Sequence, residues 1–154
     1  MAIVIKAPDP LPIEDVPTLF LAGTIDNGAS DDWQSYVTNE MMDNQIVLLN
    51  PRRDEWDSSW EQSIRNPQFR QQVEWELNAL ERATAILMYI APNSQSPISL
   101  LEMGLHATSG KMVVVCPGPY WCQGNIEVVS AQYQIPLYDN LTDGLQHIQR
   151  IMKI

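Results

Sequence analysis

Two glutamates and one glycine-led loop concentrate the chemistry open to this chain. Glu102 stands in Ile98-Ser-Leu-Leu-Glu-Met-Gly-Leu105, with apolar residues on both sides. No face of a helix over that stretch is plainly solvated. A carboxylate placed there is either paired or kept for a function that justifies its desolvation. One reading is a structural group bonded to a backbone amide or to His106 one turn on; the other is a catalytic carboxylate. Pro97 opens the helix, and the helix dipole favours the ionised form, weakly beyond the first turn.

Glu76 shares helical spacing with Val73, Leu77 and Leu80, which sets it at the border of a core-facing stripe. Alone it fits a solvated flank residue. With Glu102 it makes a pair able to divide glycosidic cleavage, one carboxylate attacking or stabilising the sugar cation and the other handling protons. In Gly23-Thr24-Ile25-Asp26, Gly23 permits close backbone approach. Asp26 can accept hydrogen bonds from a sugar hydroxyl or a base, or serve as a turn or cap residue. Arg52 and Arg53 suit an anion, or salt bridges to the many acids around them. Trp56 offers a face for stacking on a base, or for packing in a core or an interface. Gly124-Asn125 reads as a turn. His106 and His147 lack neighbours at metal-ligand spacing, so no metal is proposed. Gly23 and Gly104 do not make a phosphate-binding glycine loop.

The elements that must position these residues alternate. AIVIK is a short strand at most, inside an irregular lead-in over residues 1–16 punctuated by Pro8, Pro10 and Pro12. Strands are expected at residues 18–23, 45–49, 84–90, 112–116 and 135–138, as apolar runs closed by turn residues. Helices are expected at residues 31–42, capped by Ser30 or Asp31, and at 67–83, 96–110, 126–132 and 142–152. Residues 52–66 read as a long polar loop, a length that in compact domains is often functional. This alternation predicts a single α/β domain over residues 1–154, a three-layer sandwich on a five-stranded parallel sheet of flavodoxin-like order. Ligands in such folds sit beyond the carboxyl ends of the strands, which singles out the loops after Gly23, Leu49, Ile90 and Cys116.

Composition narrows the partners. The net charge is −10 over 154 residues, a surface that repels a phosphate backbone and excludes a nucleic-acid polymer, but not an uncharged nucleoside. Cys116 and Cys122 form neither a disulfide framework nor a metal set, and read as reduced thiols. No apolar run reaches membrane-spanning length, and Met1 to Pro12 lacks the pattern of a signal peptide, so a cytoplasmic protein is expected.

Taken in order, the segments resemble the nucleoside 2-deoxyribosyltransferase family and its relatives, from about Pro17 to Asp139. Leu19-Phe-Leu-Ala-Gly-Thr-Ile-Asp26 is similar to the family's first strand and sugar-binding loop, and Glu76-Leu-Asn-Ala-Leu80 to the helix whose acid contacts the sugar. Ile86-Leu-Met-Tyr-Ile-Ala-Pro92 matches the next strand. Leu101-Glu-Met-Gly-Leu105 with Gly110-Lys111 resembles the stretch bearing the nucleophilic glutamate, and the interval 102 − 76 = 26 keeps the family spacing. Gly124-Asn125 resembles a segment whose asparagine completes a neighbouring subunit's site. The order and spacing carry the likeness, since no single motif is specific.

The resemblance implies a deoxynucleoside and a free nucleobase as partners, no cofactor, and a homo-oligomer with shared active sites. It makes Glu102 the nucleophile in a transfer of 2-deoxyribose between bases, with Glu76 beside it. Hydrolysis of deoxynucleosides or their 5′-monophosphates, and a non-catalytic nucleoside-binding module, are the alternatives. Three positions depart from the family. Phe20 stands for a tyrosine, Ser96 for an aspartate six residues before the nucleophile, and Glu76 for what is often aspartate. The monophosphate-cleaving relatives carry an arginine where this chain has Asp26, and a carboxylate repels phosphate. Thus Phe20, Gly23, Thr24, Asp26, Arg52, Trp56, Ser96 and Asn125 are the expected substrate contacts around Glu102 and Glu76.

Overall fold

The computed structural model describes residues 1–13, 15–25 and 31–154. Six parallel strands form one sheet: β1 (Ile3–Lys6), β2 (Thr18–Gly23), β3 (Val47–Asn50), β4 (Ala85–Tyr89), β5 (Met112–Val115) and β6 (Leu137–Tyr138), in the order β1-β3-β2-β4-β5-β6. Five helices connect them: α1 (Trp33–Glu40), α2 (Pro67–Arg82), α3 (Pro97–His106), α4 (Gln123–Tyr133) and α5 (Leu141–Met152).

Without β1 the order is flavodoxin-like, but the sheet has six strands rather than five. AIVIK, a short strand at most by its sequence, contributes β1, which pairs with β3 from Ile3↔Val47 to Lys6↔Asn50. Its edge position explains why its pattern is faint in the sequence. Ile3 is 61% exposed, so no buried apolar run announces the strand. Beyond β1 the lead-in lies on α2, where Trp75 Nε1 donates to Asp9 O at 2.7 Å and the Arg82 guanidinium donates to Pro12 O.

The central strands are buried on both faces, as parallel strands between helices must be. One face of the sheet packs Phe20, Ala22, Ile86, Met88 and Val114 against Trp75, Ala79 and Leu80 of α2, Met103 of α3 and Ile126 of α4. The other packs Leu19, Leu21, Leu87, Val113 and Val115 against Trp33 and Val37 of α1 and Leu145 and Ile148 of α5. That gives three layers.

Local chemistry sets the helix ends. Asp32, rather than Ser30 or Asp31, caps α1 by accepting from Ser35 N at 3.1 Å; Ser30 lies outside the described residues. Asn66 caps α2, with Pro67 at its first turn. Helix α3 ends at His106, ahead of the expected Gly110, in a turn closed by Ser109 N to His106 O at 3.0 Å. The β2–α1–β3 connection runs over one face and β3–α2–β4 over the other, so the sheet's switch point lies between β2 and β4. Gly23 and Tyr89 meet there. Gly23 has φ +133°, and a Cβ on it would sit 2.0 Å from Tyr89 O, so only glycine fits.

Candidate active site

Helix α3 is turned inside out. It buries Ser99, Glu102 and His106 together with Met103, and exposes Ile98, Leu101 and Leu105, each more than half accessible. A helix packed for stability does the reverse. Glu102 is 6% exposed. Its carboxylate makes no hydrogen bond with any described residue, and the pairing with a backbone amide or His106 is not formed. Burial alone pushes its pKa up to about 7.

Helix α2 supplies the second carboxylate. Its core stripe is Gln72, Trp75, Ala79 and Leu80. Val73 and Leu77, expected to share that stripe with Glu76, are instead 37% and 44% exposed. Glu76 sits between the two faces, half-buried. Its pKa is raised well above the ordinary value, first by burial and then by the charge of Glu102, while a hydrogen bond from the Gln72 side chain favours the ionised form. The two glutamates therefore feel each other's charge. A pair of carboxyls in one low-dielectric place resists double ionisation and holds one proton near neutrality.

The switch-point loops close around hydroxyl groups. Thr24 is buried; its Oγ1 lies 2.5 Å from Ser96 Oγ and 3.4 Å from Ser94 Oγ, and accepts from Ala91 N at 2.9 Å. Ser96, also buried, stands at the start of α3 with φ +48° and makes no cap hydrogen bond. A non-glycine residue there is strained, and such strain clusters at functional positions. The loop after β5 is tied in by Tyr120 Oη and Trp121 Nε1, which both donate to Gln95 O, at 2.6 and 3.0 Å.

The remaining expected contacts are placed as follows. Phe20 is fully buried and stacks on Trp75 at 6.3 Å, beneath the loops rather than among them. Arg52 braces the start of α1, donating to Gln34 Oε1 at 3.2 Å and to Asp31 O at 3.1 Å, with Asp32 at 3.5 Å. Trp56 packs on Trp60 at 5.0 Å and Phe69 at 6.5 Å. Asp26 lies outside the described residues. Asn125 is exposed in the first turn of α4, which begins at Gln123, so the Gly-Asn pair lies in a helix and not in the expected turn. Sequence reasoning missed Gln72 and Ser94; the i, i+4 spacing of Gln72 to Glu76 is the signal for the first.

Among the described residues no group of three or more His, Cys, Asp or Glu side chains could hold a metal ion. No helix of the described residues is long and apolar enough to cross a membrane. The model of the family described as "nucleoside 2-deoxyribosyltransferase like" matches residues 16–120, about two thirds of the chain. The chain belongs to that family. The matched segment contains β2 through β5, hence both glutamates, the hydroxyl cluster and the loop of residues 52–66. Family and fold together identify a relative of nucleoside-processing enzymes. No curated protein matches the chain.

Proposed function

We propose that this protein transfers 2-deoxyribose between nucleobases through a glycosyl ester on Glu102. The inside-out burial of Glu102 on α3, beside the charge-coupled Glu76, carries this reading. A buried carboxylate without a hydrogen-bond partner among the described residues is a stronger nucleophile than a solvated one. In the first step Glu102 attacks the anomeric carbon, the C1′–N bond breaks, and its electron pair leaves with the base. Glu76 holds the shared proton and gives it to the leaving base. In the second step a new base attacks C1′, the ester bond breaks, Glu102 leaves as carboxylate, and the incoming base's proton returns to Glu76. The net change is one base for another with retained configuration.

Thr24 and Ser96 offer hydroxyls, and Asp26 a carboxylate, to hold the sugar. A deoxynucleoside is the expected donor in preference to its 5′-monophosphate, because Asp26 stands where the monophosphate-cleaving relatives carry an arginine. The protein is incubated with a deoxynucleoside and a different free base, and products are separated by chromatography. New nucleoside is the expected product, lost by several orders of magnitude in Glu102→Ala. Free deoxyribose unaffected by the second base would make the protein a hydrolase. No turnover of any donor, with nucleoside still bound, would make it a binding module.

A further inference from the structure

Five buried side-chain atoms among the described residues lack a hydrogen-bond partner: Gln34 Nε2, Arg53 Nη1, Trp56 Nε1, Gln72 Oε1 and Ser130 Oγ. Three of the five fall together, on the loop after β3 and the first turns of α2. Orphaned polar atoms are costly, and a cationic donor more so. The Arg53 side chain is only 7% exposed. Its Nε and Nη2 both donate to Glu55 Oε1, at 3.1 and 2.9 Å, which leaves Nη1 unused.

A rigid patch holds these atoms. The Arg53 guanidinium lies 5.2 Å from the centre of the Trp60 ring, Trp60 packs edge-on to Trp56, and Trp56 leans on Phe69 of α2. Gln72 ties the loop to the helix by donating Nε2 to Pro51 O at 2.8 Å, and stands one turn before Glu76, close enough for its amide to favour the ionised form of that carboxyl. The patch therefore adjoins the carboxylate pair.

Its unused valences are two N–H donors, one of them cationic, and one carbonyl acceptor. A lactam edge, –NH–C(=O)–, presents the complement: an oxygen for the donors and an N–H for the acceptor. Amino bases present the reverse, an NH₂ donor beside a bare ring nitrogen. A lactam base also spreads negative charge onto its oxygen as the C1′–N bond breaks, where a guanidinium stabilises it.

We infer that Arg53, Trp56 Nε1 and Gln72 Oε1 form the base-recognition edge of the site and select oxo bases over amino bases. The inference rests on the glycosyl-transfer reading of Glu102 for its place in a reaction, but the patch can be tested by binding alone. Specificity constants are compared for deoxyinosine and deoxyuridine against deoxyadenosine and deoxycytidine. Binding of free hypoxanthine, uracil, adenine and cytosine is measured by calorimetry. Wild type should favour the oxo member of each pair by about 10- to 100-fold. Arg53→Met should bring that ratio to within a few-fold, and Trp56→Phe, which keeps the ring contacts and removes only the N–H, should cut it several-fold. Thermal melts establish that each variant is folded; if Arg53→Met is not, Trp56→Phe decides. Equal handling of oxo and amino bases by wild type, or an unchanged ratio in the folded variants, overturns the inference. Oxo-selective binding without turnover would sink the transferase reading and leave the recognition edge standing. Turnover without selectivity would do the opposite.

Discussion

At the scale of the residue, Glu102 opposes stability to function. Burial raises its pKa from an ordinary value near 4.5 to about 7 in the folded protein. The native state therefore binds more protons than the unfolded chain between those values. Stability falls as pH rises across that interval and stays low above it. Glu102→Gln removes the ionisation. The variant should match wild type in stability near pH 4 and exceed it by on the order of 1–3 kcal/mol at pH 8, read from denaturant melts at both pH values. A structural carboxylate would give the opposite sign, with Gln destabilising at pH 8. The proposed transfer needs the other protonation state of Glu102. That proposal has Glu102 ionised and Glu76 protonated, so kcat/KM should decline on the acid side as pH drops through about 7. It should decline again on the alkaline side as Glu76 loses its proton. The two limbs belong to the coupled pair rather than to single residues. A flat profile between pH 5 and pH 9 would separate the glutamates from the rate-limiting chemistry.

At the scale of the element, the proposed mechanism depends on α2 and α3 being held in fixed relation, and Lys111, just before β5, anchors the end of α2. Its Nζ donates to Leu80 O at 2.6 Å, Glu81 O at 2.9 Å and Ala83 O at 2.9 Å, collecting the loose carbonyls at the end of α2. Lys111→Met keeps the stem and removes the bonds. It should cost about 1–3 kcal/mol, enough to lower Tm by several degrees, while Lys111→Arg should lose less. An unchanged melt for Lys111→Met would show that water serves those carbonyls equally well. The elements themselves were largely legible, because buried parallel strands leave apolar runs and Pro67 and Pro97 mark helix starts. The failures have physical causes. Strand β1 is an edge, so burial does not pattern it. Helix α4 starts at Gln123 without a side-chain cap, so Gly124 and Asn125 showed only their turn preference. The stripe of α2 was misplaced by one position because Gln72 is buried by its bond to Pro51 O, while Val73 and Leu77 face out. Glu102 stood out because a lone carboxylate among apolar residues has no solvated face to occupy. The orphan atoms of Arg53, Trp56 and Gln72 had no sequence signal, since partnership is a property of three dimensions.

At the scale of the whole molecule, several of the exposed apolar side chains share one helical layer. Val73 and Leu77 of α2, Ile98, Leu101 and Leu105 of α3 and Val128 of α4 are all exposed, on the three helices that cover one face of the sheet. Exposed apolar side chains on one layer suit an interaction surface. Asn125 is exposed on the same layer. We propose an assembly in which the helical layer is covered by a second copy and Asn125 reaches the partner's carboxylate pair. In a two-fold dimer each site would then draw Glu76 and Glu102 from one chain and Asn125 from the other. The test mixes two inactive variants, Glu102→Ala and Asn125→Ala, under conditions that exchange subunits. Half of the sites in a mixed dimer then carry both lesions and half carry neither, so activity should rise well above that of either parent. Leu101→Glu, which places a charge on the apolar face away from Glu102, should dissociate the assembly in light scattering and abolish activity at dilute protein concentration. Mixtures that recover nothing despite proven exchange would put Asn125 in its own chain's site. A wild-type protein that is fully active as a monomer would remove the shared site altogether.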